Sequence, residues 1–379
     1  MNNLIQKTWK PKKLKRKNAD SDIHLSEKPY TSVFITTNLN LESGGGIVSL
    51  HEEKALETVT YVERVITDSD INCKLPKLPN TARAFLWDYL TANELKNYKV
   101  NIAFFNGSPF GITTRLLKPA KIIVDVPAHN AEISIEEFEK LGISYPFMHM
   151  KDPFLWSVYS QHIKNADVTL CPSRMSAKYI TKKLSLKNKV IVIPHGCFLP
   201  EETNTEHPNF NITHVGTNSP DKGQIYLVQA WRQLRQRIEL SGNLFMVGRG
   251  TSIWTSFGAF CFAHVPNIGK VYKKCSVYVQ PSVTEGFGLP VLEAMAYARP
   301  VIVTKGAGAS ELVEDGKDGF VVPIRNAGAI KEKLQYFYDN PSEIERMGKN
   351  ARKKAEKHSW KIIETKYQKL IQEVLNEHS

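Results

Sequence analysis

Two glutamates with seven residues between them frame the stretch richest in chemical possibility, Val277-Tyr-Val-Gln-Pro-Ser-Val-Thr-Glu285-Gly-Phe-Gly-Leu-Pro290-Val-Leu-Glu293-Ala-Met-Ala. Ionised carboxylates are acceptors only, and they suit the hydroxyl donors of a sugar or a ribose. Gly286 and Gly288 between them let the backbone approach a ligand closely. Val277 to Val279 read as a short buried strand that Pro281 and Ser282 stop. Pro290 fits the first turn of a helix, where its missing N–H is no loss. Strand, loop and helix therefore follow one another, with Glu285 in the loop and Glu293 about one turn into the helix. Free N–H groups and the dipole at that helix start favour an anion, so a diphosphate flanked by hydroxyl-rich groups fits.

The elements that would position these groups repeat the same theme. Thr31 to Thr37 read as a first buried strand, Asn38 to Ser43 as a loop, and Gly44-Gly-Gly46 as the entry to a helix. Glycines at that junction let N–H groups reach a phosphate or an incoming hydroxyl, although a flexible turn uses the same residues. Apolar runs at Val62–Thr67, Val100–Phe105, Lys121–Val126, Asp167–Leu170 and Val190–Ile193 alternate with helical patterns at Ala82–Leu95, Ile135–Leu141, Pro153–Lys164 and Ser173–Leu184. That alternation predicts a parallel, doubly wound sheet, whose ligands sit at the carboxyl ends of the strands. His129 lies just past such an end, though a hydrogen-bonded structural histidine also accounts for it. Asp68-Ser-Asp70 has the form of a divalent-cation pair, but its setting before Asn72 reads as a surface turn.

Polar residues 199–208 read as a linker. A second series follows: strand Phe210–Val215, loop Gly216–Gly223, a helix from Gln224 to Glu239, strands Leu244–Val247 and Ala259–His264, and a helix Ile268–Cys275. Beyond Pro323 the pattern is helical only, at Ala327–Tyr338, Ser342–His358 and Trp360–Asn376.

The chain of 379 residues is long enough for two domains with separate cores. It has no run of eighteen apolar residues and no apolar signal segment at its start. Cys73, Cys171, Cys197, Cys261 and Cys275 are odd in number and scattered, which points to a reducing, cytoplasmic compartment without a zinc site. Of the net charge of +12, residues 1–28 hold +5. That stretch reads as a flexible, solvated tail, or as a peripheral contact with an anionic membrane at the cytoplasmic face or with another acidic partner. Nucleic acid is the least expected partner.

The motif continues as Arg299-Pro-Val-Ile-Val, then Gly306-Ala-Gly-Ala-Ser-Glu311-Leu-Val-Glu-Asp-Gly316, then Gly319-Phe-Val-Val-Pro323. From Glu285 to Pro323 the chain resembles the retaining glycosyltransferases of the GT-B fold, specifically glycosyltransferase family 4 (group 1). The resemblance implies an α/β protein of two Rossmann-like, doubly wound parallel-sheet domains facing across a cleft. The tail 1–28 would precede an acceptor domain at 29–198, and the linker 199–208 would lead to a nucleotide-sugar domain at 209–359. A last helix, about 360–379, would cross back to the first domain.

The same resemblance implies roles. His129, Lys222 and Glu285 would be catalytic. Gly45, Gly46, Gly216, Thr217, Lys222, Glu285, Gly286, Phe287, Gly288, Leu289 and Glu293 would bind the donor, with Glu285 on the sugar hydroxyls and Glu293 on the ribose. Thr217 stands where the family usually has an arginine, a neutral hydroxyl in place of a phosphate-forking guanidinium. Arg249 in Val247-Gly-Arg-Gly250 offers a compensating cation, although a position at the rim of the site accounts for it better. The expected reaction moves a glycosyl group, with retention and without metal or cofactor, from a UDP- or GDP-sugar to a hydroxyl of a saccharide, glycolipid or protein. A non-catalytic nucleotide-sugar-binding scaffold and a GT-B sugar phosphorylase are the alternatives.

Overall fold

A computed structural model describes residues 30–36, 44–66, 80–96, 98–106, 111–117, 120–128, 130–143, 153–203, 209–236 and 242–377. The first series runs β1 (Thr31–Thr36), α1 (Gly44–Val59), β2 (Tyr61–Ile66), α2 (Asn80–Leu95), β3 (Ile102–Asn106) and α3 (Gly111–Leu116). It continues through β4 (Lys121–Asp125), α4 (Ala131–Lys140), α5 (Pro153–Asn165), β5 (Val168–Cys171), α6 (Arg174–Leu184) and β6 (Lys189–Val192). The six strands form one parallel sheet in the order β2-β1-β3-β4-β5-β6. Alternate residues leave a strand on opposite faces. Val33 and Ile35 accordingly join one core with Phe105 and Val124, and Phe34 joins another with Phe104 and Ile123.

The second series comprises β7 (Phe210–Val215), α7 (Gln224–Arg235), β8 (Gly242–Val247), β9 (Ala259–Phe262), α8 (Gly269–Lys274) and β10 (Val277–Gln280). After these come α9 (Leu289–Ala296), β11 (Val301–Thr304), β12 (Gly319–Val322), α10 (Ala327–Asp339), α11 (Pro341–Glu356) and α12 (Trp360–Asn376). Its strands form a second parallel sheet, β12-β11-β10-β7-β8-β9. Strands covered on both faces read as continuous apolar runs, as β10 and β11 do with every residue buried. One face packs Leu227, Trp231 and Leu234 of α7; the other packs α9 together with Ala351 and Ala355 of α11.

The last helix leaves the second domain altogether. Trp360, Ile363, Tyr367, Leu370 and Ile371 of α12 share a core with Phe34, Phe104 and the α1 residues Val48, Ala55 and Leu56. The two chain crossings are tied together by backbone: Cys197 N donates to His358 O (2.9 Å), and Trp360 N to Cys197 O (3.2 Å). Trp360 packs so closely on Gly196 that a Cβ there would lie 2.6 Å from its ring.

Candidate active site

In the second sheet, β7 and β10 are neighbours at the point where strand order reverses, and the loops leaving them flank the crevice in which parallel sheets hold ligands. The loop after β7 is pinned from beneath. His214 is fully buried, and burial lowers its pKa to about 4, so the ring is neutral. Its Nδ1–H donates to Val279 O (3.0 Å), which leaves Nε2 to accept from the Gln224 amide (3.2 Å). The same amide reaches Thr217 O (3.1 Å), and Gln224 Oε1 accepts from Ser219 N (3.2 Å). Gly223 then turns the chain with φ of +65°, and a Cβ there would sit 2.1 Å from Pro281 O. Only glycine lets the two loops touch in this way. Lys222 ends the short 3-10 turn Pro220–Lys222 just before it.

The loop after β10 is braced by the chain following β11. Glu285 N donates to Gly306 O (2.9 Å), Gly308 N to Glu285 O (3.1 Å), and Ala309 N to Phe287 O (2.7 Å). Gly288, at φ of +98°, caps α9, with Pro290 in its first turn. Among the described residues, the backbone amides of Gly286, Phe287, Gly288 and Leu289 donate to nothing. The Lys222 ammonium and the Glu285 carboxylate form an ion pair, both side chains partly buried. A cation, a carboxylate and four consecutive amides at a helix start thus converge. Such a set accepts phosphate and hydroxyl groups together.

Glu293 stands one turn into α9, where its Oε2 accepts from the Tyr272 hydroxyl (2.8 Å). Burial pushes its carboxyl above the usual range, and the tyrosine hydrogen bond partly offsets this. Tyr272 is itself fully buried and stacked on Tyr297, with centroids 5.5 Å apart.

The first domain closes directly on this loop. The Ser173 hydroxyl donates to Gly286 O at 2.9 Å, the single Ser176 hydroxyl proton is shared between Ala128 O and Gly286 O (3.0 Å to the latter), and a Cβ on Gly286 would lie 2.6 Å from Pro127 O. Asn130 N donates to Thr284 Oγ1 (3.0 Å), and Ser134 Oγ to Asp221 Oδ2 (3.1 Å). The Glu311 carboxylate accepts from the first-turn amides of α6, Arg174 N (2.9 Å) and Met175 N (2.7 Å). Arg325 adds ion pairs to Glu136 and Glu137. Exposed ion pairs contribute about 0–1 kcal/mol, whereas each intramolecular hydrogen bond contributes about 1 kcal/mol and costs more when a buried partner is left bare. The Arg325–Glu136 pair is of the exposed kind, whereas Glu137 is buried, so its pair with Arg325 and the buried contacts at Gly286 together set the alignment.

Of the residues singled out by sequence, the structure gathers Lys222, Glu285, Gly286, Phe287, Gly288 and Leu289, with Glu293 one turn on and Gly216 and Thr217 on the adjoining loop. The Phe287 ring is buried edge-on against His195, centroids 4.9 Å apart, so only its backbone reaches the site. Thr217 and Arg249 are both exposed, and Arg249 O accepts from Asn218 N (2.8 Å). Gly45 and Gly46 lie in the first turn of α1. His129, Asp68 and Asp70 lie outside the described residues, as does the tail 1–28. On either side of position 129, Ala128 O accepts from Ser176 Oγ and Asn130 N is bound by Thr284. Among the described residues, no group of three or more His, Cys, Asp or Glu could hold a metal ion, and no helix is long and apolar enough to cross a membrane.

Sequence reasoning missed Gln224, Thr284, Asp221, Ser173 and Ser176. Ser173 carries a helix-cap signal, and its hydroxyl does accept from Ser176 N (3.1 Å). Nothing in the sequence announces its second partner across the cleft.

Residues 198–354 match the family model described as glycosyl transferases group 1. An uncharacterised glycosyltransferase of Methanocaldococcus jannaschii is 31% identical over 220 residues, 55% of this chain and 60% of that protein. The chain spans about three fifths of the curated relatives it matches first. Among solved structures, sucrose-phosphate synthase from Thermosynechococcus elongatus superposes with a TM-score of 0.73 at 16% identity, covering 92% of this chain and all of that one. The Anabaena protein HepE in complex with UDP and glucose gives 0.66 at 15% identity, covering 91% of this chain and 100% of its own. The fold is GT-B.

Proposed function

We propose that the protein transfers a glycosyl group from a nucleotide-diphosphate sugar to an acceptor hydroxyl, with retention of configuration. The observation that carries this reading is the convergence of Lys222, Glu285 and the four undonated amides of Gly286–Leu289. The transition state of such a transfer separates an oxocarbenium-like sugar from a diphosphate, so the site must stabilise charge growing on the leaving oxygens. Lys222 and the amides at the α9 start supply that stabilisation, with the glycine junction at Gly45 and Gly46 as a second source. Glu285, adjoining the amides, takes the hydroxyls of the donor sugar, and Glu293 takes the ribose hydroxyls. No metal or other cofactor is assigned a part. With no carboxylate marked out as a covalent nucleophile, the departing phosphate receives the acceptor's proton on the same face of the sugar. His129 is placed beside the reacting carbon by family resemblance alone.

The group 1 match over the second domain and the UDP and glucose held by the HepE structure favour this donor class. A UDP- or GDP-sugar is the expected donor, and a saccharide, glycolipid or protein hydroxyl the expected acceptor. Thermal unfolding against UDP, GDP, ADP, TDP and CMP, for wild type and Glu293→Ala, tests the reading. One diphosphate should stabilise the protein, by about 2.7 kcal/mol at a hundredfold excess over Kd, and the mutant should respond less. No response to any of them would remove the donor site and with it the reaction.

A further inference from the structure

The folded part carries two strongly basic stretches, residues 168–200 with six Lys/Arg and no acid, and residues 222–284. Residues 222–284 contain eight Lys/Arg and a single acid, Glu239, a net of +7 that equals the whole charge outside residues 1–28. From 240 to 284 there is no Asp or Glu at all. This segment builds α7, β8, the 3-10 turn Thr251–Phe257, β9 and α8, and β9 is an edge of the second sheet.

Around that edge the surface is apolar as well as basic. Ile253, Phe257, Phe260 and Phe262 are 54, 40, 54 and 44% exposed. Phe260 and Phe262 alternate with the inward Ala259 and the half-buried Cys261, so they share a face, and Phe245 of β8 extends it with its ring 5.7 Å from that of Phe260. The turn bearing Ile253 and Phe257 packs through Trp254 with the opposite face, so apolar side chains flank the edge on both sides. The Arg232 guanidinium stands over the Phe257 ring at 5.6 Å, and Arg235 Nη1 lies 3.1 Å from where a Cβ of Gly258 would be. Both arginines and Arg249 are exposed, and none forms a salt bridge among the described residues. The α8 lysines belong to a different setting, since Lys270 and Lys273 share a groove with Glu201 and Glu202.

An exposed edge strand with bulky apolar side chains is a liability unless something covers it. Aromatic rings interleaved with cations, with Glu239 the single acid of the segment, suit a membrane–water interface, where rings settle among headgroups and guanidinium groups meet lipid phosphates. A nucleic acid would use the arginines but has no use for Ile253, and a second copy would bring the same positive charge against itself. We propose that the β9 edge rests on an anionic bilayer surface, with Ile253, Phe257, Phe260 and Phe262 entering the headgroup region and Arg232, Arg235 and Arg249 binding lipid phosphates. This contact is separate from the basic tail and does not depend on the reaction assigned above.

Co-sedimentation of the full chain with phosphatidylcholine vesicles, with and without phosphatidylglycerol, tests it. Wild type should bind the anionic vesicles, and should still do so when the cations between Lys7 and Lys17 are replaced by glutamine. In that background, Arg232→Gln/Arg235→Gln should weaken binding roughly fivefold per arginine. Phe260→Ser/Phe262→Ser should weaken it on the order of tenfold. Thermal unfolding checks that both variants are folded, and if the phenylalanine pair is not, the exposed arginine pair decides. Binding unchanged in the folded variants overturns the proposal. So does a dimer that the phenylalanine changes dissociate, or stronger binding to poly(U) RNA that follows the arginines and ignores the phenylalanines.

Discussion

Ser173 in the first domain donates its hydroxyl to the carbonyl of Gly286 in the second, at 2.9 Å. The same peptide lies so close to Pro127 O that no side chain fits between them. Gly286→Ala should therefore force the loop or the domain closure to shift by several tenths of an ångström. Geometry lost near reacting atoms is expensive, so kcat/KM should fall tenfold or more while the melting temperature changes little. Steady-state kinetics beside thermal unfolding separates this from general destabilisation.

The ion pair of Lys222 with Glu285 leads to a second expectation. Lys222→Ala and Glu285→Ala should each lower kcat/KM by two or more decades, on the order of 3 kcal/mol of transition-state stabilisation. Near-normal turnover in either variant would take that residue out of the site.

Glu293 is held above the ordinary carboxylate range by burial and is partly restored by Tyr272. Donor binding should weaken as pH falls through the Glu293 pKa, because a protonated carboxyl offers a poorer acceptor. Tyr272→Phe removes the favourable hydrogen bond and should move that acid limb to higher pH. Nucleotide titrations across the acid range would show the limb unmoved if Tyr272 plays no such part.

A buried carboxyl pair in the first domain yields a stability prediction. Asn106 Nδ2 donates to Glu52 Oε2 (2.6 Å) and to Asp125 Oδ2 (3.3 Å) at the carboxyl ends of β3 and β4. Burial raises both carboxyls, Asp125 to about 7. A folded-state pKa above the unfolded value means that the folded form binds more protons. The stabilising contribution is thus complete in acid and lost as pH rises through 7. The melting temperature of wild type should decline from about pH 4 to about pH 7 and level off above that, and less steeply in Asp125→Asn. Equal slopes would mean that Asp125 is already ionised in the folded protein.

Excess EDTA should leave turnover unchanged, since the proposed charge stabilisation uses Lys222 and backbone amides. An absolute metal requirement would direct attention to Asp68 and Asp70.

Much of this architecture is legible in sequence because it rests on local signals. The last helix reads as Trp360–Asn376, the span it occupies, because its apolar stripe is strongly periodic. Other ends differ from the sequence pattern for identifiable reasons. α4 begins at Ala131, four residues before the apolar pattern suggests, because Asn130 accepts from Ile133 N (3.2 Å) and starts the helix early. β9 ends at Phe262 and not His264, where pairing with β8 stops at Val247. At the site, the Glu285–Glu293 loop was readable because its glycines, proline and carboxylates lie within one short segment. The clamps from Ser134 to Asp221 and from Asn130 to Thr284 join residues 87 and 154 positions apart. Such pairs exist only once two domains have folded and met.

The double crossing at Cys197 and Trp360 makes the two domains dependent on one another in construction. Severing the chain within 199–208 would leave an amino-terminal fragment whose core lacks the apolar face of α12, and a carboxyl-terminal fragment bearing that face uncovered. Neither piece is a free-standing module, and each carries what the other lacks. Co-expressed halves should find one another and complement, while a truncation at the linker should yield insoluble protein.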